Sequence, residues 1–73
     1  MITTNRTTPE LLADVHELIR RARLDLPPTA RPRSAPIYLR EARRAIALLR
    51  KRIPAGDPAE AELLSLMNRA TNV

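Results

Sequence analysis

Proline placement constrains this chain more than any other feature. Pro9, Pro27, Pro28, Pro32, Pro36, Pro54 and Pro58 each lack an amide donor and push the preceding residue away from helical geometry. They leave three proline-free stretches, and each of these carries apolar residues at helical spacing. In the first, Leu11, Leu12, Val15, Leu18, Ile19 and Ala22 fall on one arc, with Asp14, Glu17 and Arg21 opposite. Thr8, Pro9 and Glu10 read as its start: a hydroxyl cap, a proline in the first turn and an acid against the positive helix end. The pattern predicts helix one over 9–24. In the second stretch Leu39, Ala42, Ile46, Leu49 and Ile53 form a three-four seam, widened by Tyr38 and Ala45. Helix two is expected over 36–53, capped by Ser34 or Ala35 and stopped by Pro54-Ala55-Gly56. Asp57-Pro58-Ala59-Glu60 has the form of a capping box. It opens helix three over 58–70, whose expected buried stripe is Leu63, Leu64, Met67 and Ala70.

Residues 25–35 hold three further prolines and are expected to run as an extended strap between helices one and two, with Leu26 tucked beneath it. The first eight residues lack periodicity and are expected to be flexible; residues 71–73 are a short tail. The fold class that satisfies all three apolar stripes at once is all-α: a small three-helix bundle in one domain, 9–70, with helices two and three joined as a tight hairpin.

A chain of 73 residues has little interior, and such domains usually retain only about 3–5 kcal/mol without a staple or a partner. There is no Cys, so disulfides are excluded, and Tyr38 is the only aromatic residue. The core must therefore be aliphatic. Self-association, which would enlarge that core, is one remedy to be expected. No apolar run approaches the roughly 20 residues needed to span a bilayer. Without an apolar leader near the start, a cytoplasmic protein with no membrane partner is expected.

The charge is segregated. Between Arg20 and Arg52 stand eleven basic residues against Asp25 and Glu41, a local charge of +9, whereas the rest of the chain carries −4. Acids at helix starts and bases at helix ends oppose the macrodipole, which accounts for Arg20, Arg21, Arg23, Arg50, Lys51 and Arg52. It does not account for Arg31, Arg33, Arg40, Arg43 and Arg44. On a helical wheel Arg40, Arg43, Arg44, Arg50 and Lys51 share a sector of about 120° opposite the apolar seam. The candidate partner- or phosphate-binding residues are thus Arg31, Arg33, Arg40, Arg43, Arg44, Arg50 and Lys51. Ile37 and Leu48 lie almost in line outside the main stripe of helix two. They are candidate apolar contacts, either under the strap or against a partner.

Catalysis finds little support in the residues. The single His16 has only Asp14 and Glu17 beside it, which makes neither a triad nor a familiar metal set. Gly56 is the only glycine, so no phosphate-cradling loop can form. The expectation is no enzyme, no metal and no cofactor. Two partner classes remain. An acidic protein partner, docked through the arginine-rich face, is the leading one. The alternative is nucleic acid, held through its backbone by helix two and the basic strap. A helix-turn-helix reading fails because helix three would present Asp57, Glu60 and Glu62 to the phosphates. Single-strand stacking lacks aromatic platforms.

Overall fold

The computed structural model describes residues 6–71. Among these, α1 spans Thr8–Ala22, α2 Ala35–Arg52 and α3 Glu60–Thr71, with a single 3-10 turn at Pro28–Ala30 and no strand. It is a three-helix, all-α fold. Of the start expected to be flexible, residues 1–5 lie outside the described part; of the tail expected over 71–73, residues 72 and 73 do too, and Thr71 belongs to α3.

The start of α1 is tighter than the sequence suggested. Thr7, not Thr8, is the cap: its hydroxyl accepts from the Glu10 amide while the Glu10 carboxylate accepts from the Thr7 amide at 2.9 Å. This reciprocal box satisfies two otherwise orphaned donors. Arg6 is engaged at both its side chain and its backbone. Its guanidinium makes two 2.9 Å bonds to Asp14, and its carbonyl accepts from Arg52 at the end of α2. Helix α1 stops two residues before the expected end. Arg23 turns left-handed (φ 55°) and its amide closes on the Arg20 carbonyl, which brings Leu24 back against the core.

The strap is not extended. Successive amides of Leu26, Ala30 and Ala35 each close back three residues, on Arg23, Pro27 and Pro32. Proline's fixed φ suits the first turn of such structures, so a proline-rich segment with short gaps folds into consecutive turns rather than a straight run.

One aliphatic core joins the helices. Leu11, Val15 and Ile19 from α1 share it with Ala42, Ala45, Ile46 and Leu49 from α2, Ile53 just beyond, and Leu63, Leu66 and Ala70 from α3. The stripe of α3 is rotated from the expected one. Leu66 is buried and Leu64 is 54% exposed. Leu63, Leu64, Leu66, Met67 and Ala70 spread over about 160° of the helix, more than one flat neighbour can cover. One edge had to remain outside, and it is the Leu64 edge. Helix α3 is also pinned to α1 by His16 Nε2 and Glu62 Oε2, 3.1 Å apart.

Truncating each leucine separates the two edges. Leu66→Ala is expected to cost about 2–4 kcal/mol, most of a domain this size, while Leu64→Ala stays within about 0.5 kcal/mol. Urea denaturation of both variants checks this, and equal losses would refute the rotated stripe.

Candidate functional site

The α1–α2 seam sets the rotation of α2. With Ala42, Ala45, Ile46 and Leu49 buried, the opposite face carries Arg40, Arg43, Arg44, Ala47, Arg50 and Lys51, all exposed. At 1.5 Å per residue this row is about 16 Å long. Ala47 sits in its middle, with Arg43, Arg44, Arg50 and Lys51 one turn away on either side, so no large side chain separates the cations.

The sequence candidates divide by what their guanidinium groups do. Arg31 is structural. Half-buried, it donates to the Leu26 carbonyl at 2.9 Å and the Leu24 carbonyl at 3.3 Å, and so clamps the strap to the end of α1. Arg43 donates to the Ala70 carbonyl at 3.1 Å, which caps the end of α3 while leaving the residue exposed. Arg44 stands 3.7 Å from Glu41 but is 72% exposed, a loose pair that contributes little. The side chains of Arg33, Arg40, Arg50 and Lys51 make no hydrogen bond or ion pair among the described residues. The apolar candidates separate as well. Leu48 is half-buried and packs on the core, and Ile37 is 58% exposed.

The carboxylates show why those four cations stand alone. All eight acids of the chain are engaged internally. Asp14 holds Arg6, Glu17 holds Arg20 and Arg21, Asp25 holds Arg23, and Glu41 faces Arg44. Glu62 meets His16. Glu10, Asp57 and Glu60 accept from the backbone amides of Thr7, Ala59 and Gly56. These bonds hold Glu10, Glu17 and Asp25 below their ordinary titration range: Glu10 through the Thr7 amide, Glu17 through Arg20 and then Arg21, and Asp25 through Arg23. The partners respond in the opposite sense, so the Asp14 bond raises Arg6, and Glu17 and Asp25 raise Arg20 and Arg23.

A further feature was not legible in the sequence. A shallow groove of about 300 Å3 runs between the end of α2 and the start of α3, lined by Arg50, Ile53, Glu60, Leu63, Leu64 and Met67. Ile53 and Leu63 are buried in its floor, and half-buried Met67 and exposed Leu64 form its apolar wall. Arg50 also borders the shallow depression around Ala47 and Lys51, so groove and basic row are continuous. The spacing of Leu63, Leu64, Leu66 and Met67 contained a surplus apolar residue, but nothing in it said which one would be left out.

Comparison with protein-family models, with curated proteins and with solved structures finds no match. Among the described residues no helix is long and apolar enough to cross a membrane, and no group of three or more His, Asp or Glu could hold a metal ion.

Two outcomes follow from this charge distribution. Arg31→Ala should cost about 1–2 kcal/mol through two lost carbonyl bonds, whereas Arg33→Ala and Arg40→Ala leave stability unchanged within about 0.5 kcal/mol. Thermal melts of the three variants decide it. For acid, the carboxylates of Glu10, Glu17 and Asp25 bind protons less readily in the folded state than their ordinary values of 4.5, 4.5 and 3.8. Their contribution is complete above that range and is lost as pH falls through the lower folded-state values. The melting temperature should therefore decline from about pH 4.5 downward, and a flat profile to about pH 3 would contradict the assignment.

Proposed function

We propose that the chain is a non-enzymatic docking module that holds an acidic protein partner against the outer face of α2. The observation that carries this reading is the internal charge balance. Among the described residues each acidic side chain faces a partner within the chain, while the side chains of Arg33, Arg40, Arg50 and Lys51 do not, and Arg43 and Arg44 stand beside them largely open to solvent. A surface of this kind attracts anionic partners over roughly a Debye length, about 8–10 Å at physiological salt. Guanidinium groups, which dominate the row, match carboxylates in paired, planar geometry.

Nucleic acid is the second reading, favoured by the length and regularity of the same row, which suits phosphates as well as carboxylates. An acidic protein ranks higher for two reasons. Continuous with the row lies an apolar groove, which a phosphate backbone would leave unfilled and a protein side chain would not. The exposed face also lacks aromatic rings for stacking on bases.

The test is affinity capture from host extract with and without nuclease treatment, using the native chain and an Arg40→Glu/Lys51→Glu variant at matched salt. The expected result is an acidic protein retained in stoichiometric amount by the native chain and lost by the variant. Capture that disappears on nuclease treatment, together with duplexes of unrelated sequence binding alike and losing affinity steeply between 50 and 200 mM salt, on the order of 10³-fold or more, would establish the second reading instead.

A further inference from the structure

Within that reading, we infer that the groove between α2 and α3 receives the apolar side of an acidic amphipathic helix, whose carboxylates then lie along the α2 row. The docking surface is thus composite, with a hydrophobic anchor at Leu64 and Met67 and a cationic wall at Arg43, Arg50 and Lys51.

Three observations point to this occupant. The groove is apolar where it is open: Leu64 is 54% exposed and Met67 half-buried, above a floor of Ile53 and Leu63. Methionine and leucine in a shallow groove accept leucine-like side chains presented at i, i+3, i+4 and i+7 of a partner helix, and methionine in particular adapts its shape. Second, the wall beside the groove is basic. Arg50 lines it directly, Arg43 reaches along the same side of α2 to the Ala70 carbonyl, and Lys51 adjoins Arg50. A helix seated on Leu64 and Met67 therefore has its neighbouring flank within reach of cations. Third, the charge balance speaks against a second copy of this chain. The chain carries a formal net charge of +5 and its eight acidic side chains already face amides, arginines or the histidine, so a copy would bring arginines to arginines with little acid to offset them. The partner has to supply its own surplus of acids.

Glu60 closes one end of the groove, where its carboxylate accepts from the Gly56 amide. It is a negative post at the start of α3. The acids of the partner should accordingly cluster away from that end, toward Arg43.

The probe is an 18-residue helical peptide with Leu at i, i+3, i+4 and i+7 and Glu on the adjoining face, followed by fluorescence anisotropy at 50 mM salt. A control peptide replaces each Leu with Ser and keeps the charge. The native chain should bind the first peptide at least tenfold more tightly than the control. Leu64→Ser should remove about tenfold of that affinity, and Arg50→Glu a similar amount, with the helical circular dichroism of both variants unchanged. Equal binding of both peptides, or a Leu64→Ser variant that binds as the native chain does, would overturn the groove assignment while leaving the docking role of the α2 row intact. Failure of both peptides to saturate at millimolar concentration would overturn both. Sedimentation that shows a dimer dispersed by Leu64→Ser would assign the groove to a second copy and overturn the proposal.

Discussion

Leu11, Val15 and Ile19 rise from α1 at four-residue intervals into a core that α2 lines with Ala42, Ala45, Ile46 and Leu49. Two of those four positions are alanine, which lets large side chains on one helix meet little more than backbone and a methyl group on the other. Helices packed in this way approach closely and lose the freedom to rotate about their own axes, since any rotation would drive leucine into leucine. The remainder of the structure follows from that restriction. Once the rotation of α2 is fixed, its basic sector faces outward and Arg43 lies on the side toward α3. Its end reaches α1, where Arg52 meets the carbonyl of Arg6.

Charge is distributed with the same economy. Most acids sit at helix starts and along α1, where they find an amide, an arginine or the histidine within hydrogen-bonding range, whereas Glu41 on α2 stands 3.7 Å from Arg44. Individually these are exposed interactions of small worth. Collectively they leave the carboxylates engaged and the outer face of α2 almost uniformly cationic. The basic residues therefore serve two ends. Arg6, Arg31 and Arg43 bind carbonyls or carboxylates that shape the fold, whereas Arg33, Arg40, Arg50 and Lys51 shape only the field around it. A clustered sequence such as Arg40-Glu41-Ala42-Arg43-Arg44 conceals this division, because neighbours along the chain point in different directions on the helix.

Helix α3 is the least constrained element. It is the shortest of the three helices and touches α2 more extensively than α1. Its ties to α1 include the exposed His16–Glu62 pair as well as the shared core. An element held mainly along one side leaves part of its apolar surface uncovered, and here that surface opens next to Arg50. On the proposed docking role, the field of the basic row would guide the encounter and the apolar edge would retain the partner.

The helices, their order and the outward sector of α2 were all legible in the sequence, because prolines and three-four periodicity are local properties with fixed geometric meaning. Helix ends shifted by a residue or two, and the cap moved from Thr8 to Thr7, since two adjacent threonines offer the same chemistry and only the backbone path selects between them. The turns of the strap, the clamp from Arg31 to Leu24 and Leu26, and the choice of Leu66 over Leu64 belong to the tertiary structure. Each depends on a partner distant along the chain or on how much surface a neighbouring helix can cover. Periodicity tells a helix which residues are able to face inward; when it has more of them than its neighbours can bury, packing alone decides which one stays in water.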